Sequence, residues 1–600
     1  MKIIILAAFA CVVIGTTPND PPAAVIENKW QPLPTLSESG FLGHHVDLWR
    51  NSRLWYVYES NFLLKGFENP PGEHLWQGEH VGKWLHAATL DYETTHDPKL
   101  LKAMQETVDR LLKAQLTNGY LGTYSEEKRF YKAPGDKTGW DIWTERYTIY
   151  GLLAYEKHHP DPRILEACRK IGDLLIDTFG EEMNDITKYG TRQGLSSTTL
   201  LESIVMLYER TGDKKYLEFA EQIVTWSEGN PKLRLMDAML KNESVVNPGD
   251  GKAYQLMSNL LGYYRLYRFT GNKKYLETVL NAWKQIKDEH VLVNGGPWTR
   301  KMSYNANKEC FAHQDAFDPW EIVVENCCTT TWIQLNLHLL DLTGEAKYAD
   351  EAEKALFNQF AGGQEAAGVD WCYYTKPNEI KPPYVPDIHC CASSGPRALE
   401  MFARRLTGTI NKTVSINSFT SSEIELDKNS GGGKLVVRSE FPANSIVSIT
   451  PEPTVPTDFN LEFRLPVNTT LKETKLNGQK TAFVKNERGY YQLQRKWKKG
   501  DRIIISMNYL TKAWFQEGAT GKKWVAFTYG PITLVEKISQ KPTTEPFKGS
   551  DLTAEQFAST LEPVKGKTST FSIKNTTIEL IPYAEAGSRS SGPRTYFEIK

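Results

Sequence analysis

The segment TGDKKYL at residues 211–217 decides the fold, because close copies of it recur along the first two thirds of the chain. Each copy places Gly or Pro after an apolar stretch of helical period and begins the next stretch with a polar turn. The repeated unit is therefore predicted to be a helical hairpin. The other copies are THDPKLL at 95–101, TGNKKYL at 270–276, TGEAKY at 343–348 and a looser version, HPDPRIL, at 159–165.

The spacing of these copies sets the number of hairpins. From about residue 80 to 405, apolar residues recur three and four positions apart, as in LLESIVMLY at 200–208, which is typical of packed helices. Copies that start roughly 50 to 75 residues apart leave room for about six hairpins. An open solenoid usually has shorter and more uniform repeats, so we predict a closed (α/α)6 barrel over residues 17–405.

After about residue 406 the apolar period changes to two. The segments TVSI at 413–416, KLVVR at 434–438 and RIIIS at 502–506 are typical of strands, and Asn477-Gly478 is typical of a hairpin turn. We predict a β-sandwich over 406–535 and a β-rich segment over 536–600 that completes or adds a sheet. The predicted fold class is α+β multidomain, an (α/α)6 barrel followed by β-sandwich domains.

The N-terminus has the pattern of an export signal. Met1-Lys2 is followed by an apolar run from Ile3 to Ile14 and then by small residues, which predicts a secretory signal peptide over residues 1–16. The run is shorter than the roughly 20 residues that a membrane helix needs. We therefore expect an exported protein, periplasmic or extracellular, without a membrane span; attachment of a lipid to Cys11 is the alternative.

Charge and composition indicate which classes of ligand the protein can bind. Lys and Arg number 71 against 72 Asp and Glu, a net charge of -1, so no overall positive field attracts nucleic acid. The 16 Trp and 28 Tyr suit the stacking faces of a carbohydrate site, although protein cores use the same residues. A monomer and a homodimer both remain open.

The cysteines allow two interpretations. Beyond the signal, seven remain, an odd number that includes two vicinal pairs, and adjacent cysteines rarely bridge each other. One interpretation is disulfides in an oxidising compartment, for example between Cys327 and Cys390. The other is a closed tetrahedral zinc site with one carboxylate and three thiolates, whose ligands would be Glu325, Cys327, Cys390 and Cys391.

These residues, with several flanking segments, resemble glycoside hydrolase family 127, which comprises retaining β-L-arabinofuranosidases with an (α/α)6 barrel and β-sandwich domains. The resemblance extends over most of the chain. It is carried by WQGEHVGKW at 76–84, QLTNGYL at 115–121, ENC at 325–327, CC at 390–391, KWKKGD at 496–501 and YGP at 529–531.

The resemblance implies a mechanism and its residues. Glu325, Cys327, Cys390 and Cys391 would bind zinc, Cys390 would be the nucleophile and Glu309 the acid/base. Zinc would keep Cys390 deprotonated, its thiolate would attack the anomeric carbon while Glu309 protonates the departing oxygen, and water would then release the sugar with retention. The substrate would be a plant cell-wall oligosaccharide, with Trp76 and Glu79 at the barrel mouth in contact with it.

The chain departs from the family where sugar-contacting histidines are expected. The corresponding positions hold Thr144, next to the candidate stacking residue Trp143, and Lys252. An ammonium at Lys252 would favour an anionic substrate group. The expected substrate is therefore an L-arabinofuranose-type sugar, with a preference for aceric acid, the carboxylated furanose of the pectin rhamnogalacturonan II; a solvated Lys252 is the alternative.

Three other functions remain open. The first is a plain β-L-arabinofuranosidase. The second is a conventional hydrolase or lyase that pairs Glu309 with Asp315 or Glu321. The third is a non-catalytic carbohydrate-binding protein in which the cysteines are structural braces.

Overall fold

The computed structural model describes residues 22–130, 140–179, 184–300, 309–381, 387–518, 521–542, 547, 551–587 and 590–600. The predicted signal peptide, including Cys11, lies outside these ranges. Within them, no helix combines the length and the apolar character that crossing a membrane requires.

Helices dominate the chain up to residue 403. In chain order, the α-helices of the described residues are α1 (Gly40–Arg50), α2 (Arg53–Glu59), α3 (Phe62–Glu68), α4 (Glu79–Thr95), α5 (Pro98–Lys113), α6 (Asp141–His158), α7 (Pro162–Phe179), α8 (Leu195–Thr198), α9 (Leu201–Thr211), α10 (Lys214–Gly229), α11 (Leu235–Leu240), α12 (Ala253–Thr270), α13 (Lys273–Gln285), α14 (Asn326–Thr343), α15 (Ala346–Ala355), α16 (Ala361–Gly363), α17 (Cys390–Ala403) and α18 (Ala554–Ala558).

Within this described part of the chain, six helices form a closed inner ring: α4, α6, α9, α12, α14 and α17. Each contacts the next, and α17 returns to contact α4. The helices α5, α7, α10, α13 and α15 follow the first five inner helices and pack outside them, while α1 packs against α17. The prediction of an (α/α)6 barrel is confirmed.

The repeated loop ends one helix and begins the next. Gly212 and Gly271 end α9 and α12 with φ near 68° and 69°, a left-handed conformation that glycine adopts without steric penalty. The side chains of Asp213 and Asn272 then accept hydrogen bonds from the backbone N–H of residues 215 and 274. These are helix N-caps, so one short sequence both closes an inner helix and opens its outer partner.

Two inner helices touch through their backbones. A Cβ added at Gly82 of α4 would lie 1.9 Å from the carbonyl oxygen of Tyr147, and one added at Gly151 of α6 would lie 2.4 Å from the Cα of Gly82. Only glycine permits this approach, because any side chain would meet backbone that cannot move alone. The approach sets Glu79 of α4 beside Trp143 of α6.

The strands fall mainly after residue 406. In chain order they are β1 (Gln31–Pro32), β2 (Thr35–Glu38), β3 (Thr299–Arg300), β4 (Ile322–Glu325), β5 (Tyr374–Thr375), β6 (Thr407–Ile410), β7 (Thr413–Ile416), β8 (Ser422–Glu425), β9 (Lys434–Ser439), β10 (Ile446–Glu452), β11 (Thr457–Phe463), β12 (Thr469–Leu476), β13 (Gln479–Lys480), β14 (Val484–Lys485), β15 (Tyr491–Trp497), β16 (Ile503–Tyr509), β17 (Thr511–Glu517), β18 (Lys523–Tyr529), β19 (Ile532–Ile538), β20 (Leu561–Pro563), β21 (Phe571–Ile573), β22 (Glu579–Pro582), β23 (Gly592–Arg594) and β24 (Phe597–Ile599).

Two sheets build the sandwich, in the orders β1-β6-β7-β11-β15-β14 and β13-β12-β16-β10-β9-β8-β2. Their inner faces share one apolar core, which includes Leu461 from the first sheet and Ile449 from the second. The edge strands β1 and β2 come from residues 31–38, which the sequence assigned to the barrel. They join the sandwich because they pair with β6 and β8.

A third sheet, β17-β18-β19-β22-β21-β20 with β23 and β24 at its side, has its own core. It begins at Thr511 and crosses the predicted division at residues 535 and 536, since β19 hydrogen-bonds both to β18 before that point and to β22 after it. The C-terminal segment therefore completes a sheet that starts about 25 residues earlier than its predicted boundary.

A small sheet, β3-β4-β5, lies within the barrel region. Its strands are two to four residues long, too short for alternation to reveal them in the sequence. Their register sets Glu325 directly opposite Tyr374, and this pairing brings two distant segments to one place.

We expect Gly151→Ala to lower the free energy of unfolding by about 1–3 kcal/mol, because the added methyl group forces α4 and α6 apart. Thermal unfolding of the variant, followed by circular dichroism, measures this as a lower midpoint. Gly229→Ala is the control, since nothing lies within 4 Å of its added Cβ. Equal midpoints for the two variants would contradict the proposed backbone contact.

Candidate active site

A pocket of about 230 Å³ lies where the N-terminal ends of α4, α6, α12 and α17 meet. Its wall combines aromatic rings with charged groups, which is the composition of many carbohydrate sites. The lining residues are Trp76, Glu79, Trp140, Trp143, Arg192, Lys252, Tyr254, Gln255, Glu309, Glu325, Tyr373 and Cys390.

Four candidate metal ligands converge at the floor of this pocket. The carboxylate of Glu325 and the thiols of Cys327, Cys390 and Cys391 have ligand atoms within 4.8 Å of one another, and all four residues are buried. Glu325 ends β4, Cys327 lies in the first turn of α14, and the vicinal pair opens α17. Helix N-termini carry partial positive charge, so this placement favours thiolates.

The geometry of the four donors fits a metal ion such as zinc. The sulfur atoms of Cys390 and Cys391 are 3.9 Å apart, and two thiolates on a tetrahedral zinc, each at about 2.3 Å, would be about 3.8 Å apart. The alternative of a disulfide between Cys327 and Cys390 is wrong, because all seven cysteines of the described residues are free thiols.

Two of the clustered thiols, Cys327 and Cys390, differ in their affinity for protons. Burial raises the pKa of Cys327, but hydrogen bonds with Cys390 and Cys391 outweigh it and lower the value to about 5. The hydrogen bond with Cys327 raises the pKa of Cys390 to about 11. The chain's own groups therefore leave a proton on Cys390 at neutral pH. Burial also raises the pKa of Glu325, to about 7, against the effect of the Lys252 ammonium.

Cys390 is the thiol that a substrate can reach. Its side chain lines the pocket and is 7% exposed, whereas Cys327 and Cys391 are both 0% exposed. A nucleophile must contact the reacting carbon, so position alone distinguishes Cys390 within the cluster.

Glu309 shares the ammonium of Lys252 with Glu325 and also lines the pocket. One carboxylate oxygen accepts a hydrogen bond from the Tyr374 hydroxyl, and the other accepts one from Lys252. Its φ is +65°, a left-handed conformation that is strained for a non-glycine residue. Backbone hydrogen bonds to Arg300 and Ala253 hold it there.

Lys252 is buried and lines the pocket. It is 4% exposed, and its ammonium donates to Glu309 Oε2 at 2.6 Å and to Glu325 Oε2 at 2.9 Å. Burial lowers the pKa of Lys252, but the two carboxylates raise it well above its ordinary value. The alternative of a solvated Lys252 is therefore wrong. Its expected role as a ligand for a substrate carboxylate stays a prediction, for an ammonium that already donates to two carboxyl groups of the chain.

Sequence reasoning missed Lys83, which lies beneath the cluster. It is 0% exposed, its ammonium is 3.1 Å from Glu79 Oε1, and it donates to the backbone carbonyl of Cys390 at 3.2 Å. The other Glu79 oxygen accepts from the indole N–H of Trp143. A lysine within the otherwise apolar VGKWL of α4 is the sequence feature that could have revealed it.

The remaining predicted substrate contacts divide into two groups. Trp76 and Trp143 line the pocket, and the Trp140 ring packs edge-on against both. Thr144 does not line it: a Cβ added at Gly78 would lie 2.0 Å from Thr144 Cγ2, which places the side chain against α4. Successive helix residues point about 100° apart, so the side chain of Thr144 leaves α6 in a different direction from that of Trp143.

The alternative carboxylate pairs do not form. Asp315 and Glu321 are both exposed and neither lines the pocket, so neither can share a substrate with Glu309 there. Among the described lining residues, the carboxylates are those of Glu79, Glu309 and Glu325.

His389 holds the start of α17 in place. Its Nδ1 accepts the backbone N–H of Ala392 at 3.3 Å, and its Nε2 is 3.2 Å from Asp370 Oδ1. The ring therefore caps the helix that begins with Cys390, while Asp370 fixes the orientation of the ring.

We expect His389→Ala to lower the free energy of unfolding by about 1 kcal/mol, as loss of an N-cap usually does, and His389→Asn to restore most of it because Asn is a good N-cap. Chemical denaturation followed by tryptophan fluorescence measures both variants. The cap assignment fails when Asn destabilises the protein as much as Ala does.

Comparison with known sequences identifies relatives of both the helical barrel and the β-sandwich. Residues 49–404 match the family profile described as beta-L-arabinofuranosidase, GH127 catalytic domain, and residues 413–509 match the GH127 middle domain. A non-reducing end beta-L-arabinofuranosidase of Bifidobacterium longum subsp. longum is 24% identical over 441 residues, which cover 66% of this chain and 64% of that relative. The match thus spans less than two thirds of the relative. A cellobiose 2-epimerase of Ruminococcus albus is 21% identical over 47% of this chain and 77% of its own length.

Solved structures show the same fold. A GH127 beta-arabinofuranosidase superposes with a TM-score of 0.73 at 19% identity, covering 96% of this chain and 98% of its own. A GH127 beta-L-arabinofuranosidase from Geobacillus stearothermophilus T6 gives a TM-score of 0.73 at 18% identity, covering 94% of this chain and 99% of its own.

Proposed function

Because the chain belongs to glycoside hydrolase family 127 and is therefore a glycoside hydrolase, we propose that it removes a terminal L-arabinofuranose-type sugar from plant cell-wall glycans with retention of configuration. The observation that carries this proposal is Cys390, a thiol within a buried three-thiol, one-carboxylate cluster that lines the same pocket as Glu309. The names of the protein's GH127 relatives support the choice of sugar.

The four clustered residues would hold zinc. Bound by Glu325, Cys327, Cys390 and Cys391, a zinc ion would lower the pKa of the Cys390 thiol, so that its proton is lost to water and the sulfur is a thiolate at neutral pH. Lys83, whose ammonium donates to the backbone carbonyl of Cys390, lowers the pKa of the Cys390 thiol by its charge, and the N-terminal end of α17 also favours the thiolate.

The first chemical step joins Cys390 to the sugar. The sulfur attacks the anomeric carbon, the bond from that carbon to the leaving oxygen breaks, and the oxygen takes the proton held by Glu309. In the second step, Glu309 takes a proton from water, the water oxygen attacks the anomeric carbon, and the carbon–sulfur bond breaks to restore the thiolate. Each step inverts the anomeric carbon, so the product keeps the original configuration.

The size and shape of the pocket suit release of a terminal sugar. The pocket of about 230 Å³ has buried walls that include Trp143 and Glu79, each no more than 2% exposed. Trp76 and Trp140 are partly exposed at its mouth, where their rings can pack against the next sugar of the chain. The protein would meet such glycans as an exported enzyme.

Aceric acid is the second candidate substrate. The observation that favours it is Arg192, a pocket-lining guanidinium whose planar donors match a carboxylate. Lys252 gives less support than its charge suggests, because two carboxylates of the site already neutralise it. Arg192 also has a carboxylate partner, Asp250, at 3.2 Å.

Chromatography of released monosaccharides tests the substrate. Incubated with a β-L-arabinofuranoside disaccharide, the purified protein should release free arabinose; incubated with isolated rhamnogalacturonan II side chains, it should release aceric acid only if Arg192 redirects specificity. Release from neither substrate, by a folded protein loaded with zinc, would overturn both candidates. Binding without release in a wider glycan screen would support a carbohydrate-binding protein instead.

Two variants test the catalytic assignments. We expect Cys390→Ala to abolish turnover and Glu309→Gln to lower kcat/KM on the disaccharide by about 10²–10⁴-fold, because one removes the nucleophile and the other the proton donor. Cys372→Ala is the matched control, since this cysteine lies outside both the cluster and the pocket. Full activity of Cys390→Ala with an unchanged fold would exclude the thiol mechanism.

Metal analysis tests the proposed cofactor. The purified protein should hold about one zinc per chain, lose activity on dialysis against a chelator, and regain it when zinc is added. Cys327→Ala should hold much less zinc because it removes one of four ligands. Equal zinc contents for Cys327→Ala and the unsubstituted protein would contradict the ligand assignment.

A further inference from the structure

We infer that Lys252 is a positioning residue that ties the acid/base Glu309 to the metal ligand Glu325, and that it does not bind a substrate carboxylate. This inference rests on the proposed function, because it assigns Lys252 a part in that reaction. It is carried by the two hydrogen bonds from one buried ammonium, at 2.6 Å to Glu309 and 2.9 Å to Glu325.

The backbone fixes the point from which the Lys252 side chain begins. Lys252 is the N-cap residue of α12 and follows a tight turn in which Gly249, Asp250 and Gly251 all have positive φ. A Cβ added at Gly251 would lie 2.8 Å from the carbonyl oxygen of Val246, so the turn has one compact form. Lys252 also pairs as an isolated β-bridge with Cys310, the neighbour of Glu309.

On the metal side, Lys252 holds the oxygen of Glu325 that faces away from the cluster. It donates to Oε2, which also accepts from the Cys328 thiol at 3.6 Å, whereas Oε1 is the oxygen directed at Cys391, at 4.0 Å from its sulfur. A hydrogen bond to the second oxygen of a ligating carboxylate orients the first, and loss of such a partner typically weakens metal binding or activity by about 10–100-fold.

On the acid/base side, Lys252 shares Glu309 with Tyr374. The ammonium holds Oε2, and the phenol holds Oε1. Tyr374 is in turn the strand partner of Glu325. Both groups that hold Glu309 are thus fixed to the segment that carries Glu325, and Glu309 keeps one position relative to the metal site and to Cys390.

Charge leads to the same conclusion. Two carboxylates buried beside one ammonium repel each other when that ammonium is removed, so the loss of Lys252 would displace Glu309 and Glu325 together. With its charge already balanced by these carboxylates, Lys252 has little attraction left for an acidic sugar.

The test compares Lys252→Met, which keeps the length of the side chain and removes its charge, with Lys252→Arg, which keeps the charge. The first readout is zinc affinity, measured by competition with a chelator. The second is kcat/KM on two substrates, the β-L-arabinofuranoside disaccharide and 4-nitrophenyl β-L-arabinofuranoside. The second substrate has a leaving group that needs little protonation, so a displaced acid affects it less.

We expect Lys252→Met to bind zinc about 10–100-fold more weakly. With zinc in excess, its kcat/KM should fall at least 10-fold more on the disaccharide than on the nitrophenyl glycoside, and Lys252→Arg should recover part of both losses. Glu309→Gln should show the same dependence on the leaving group with unchanged zinc affinity. Lys170→Met, an exposed lysine of α7, is the control for removal of a surface charge.

The inference fails when Lys252→Met keeps its zinc affinity within twofold, or when it loses activity equally on both substrates. It also fails when activity is lost only on rhamnogalacturonan II side chains, because that result identifies Lys252 as a substrate ligand. If Lys252→Met does not fold, Lys252→Gln replaces it in every measurement. If the unsubstituted protein hydrolyses neither the arabinofuranosides nor the rhamnogalacturonan II side chains, the proposed function fails, and zinc affinity alone decides whether Lys252 supports Glu325.

Discussion

Closure of the inner helical ring is the constraint on which the site depends. α17 packs against both α14 and α4, so the last inner helix lies between the one that carries Cys327 and the first. The side-chain amide of Asn326 donates to the backbone carbonyl of Cys391 at 3.0 Å and joins the first turns of α14 and α17. An open solenoid of the same helices would leave residue 79 far from residue 390. The N-terminal ends of α4 and α17 would then not line the same pocket.

A second constraint is the balance of buried charge. Lys83 pairs with Glu79, Lys252 joins Glu309 to Glu325, and Arg146 donates to Glu202 at 2.8 Å between neighbouring inner helices. Removal of one partner from such a pair typically destabilises a protein by about 3–5 kcal/mol, because the remaining charge is buried without compensation. The barrel therefore needs these pairs for its own stability.

The sequence predicted the elements that have strong local signals. Helical period and the capped Thr-Gly-Asp turns gave the barrel, and strand alternation gave the sandwich. The start of the third sheet at Thr511 could not be predicted, because β16 ends at Tyr509 and no linker separates it from β17. The edge strands at 31–38 and the short sheet β3-β4-β5 could not be predicted, because their hydrogen bonds join segments far apart in the chain. For the same reason Tyr374, a partner of Glu309, has no sequence pattern that would single it out.

The sequence by itself determined the helical hairpins, the strands and the set of side chains that can bind a metal, because caps, periodicity and ligand chemistry are local properties. Only the tertiary structure decided what those side chains do. It left Cys390 as the one thiol of the cluster that lines the pocket, turned Thr144 towards α4, and placed Lys252 between two carboxylates. The physical reason is that burial and electrostatic pairing depend on segments as distant as residues 79 and 390, whose proximity is fixed when the ring closes.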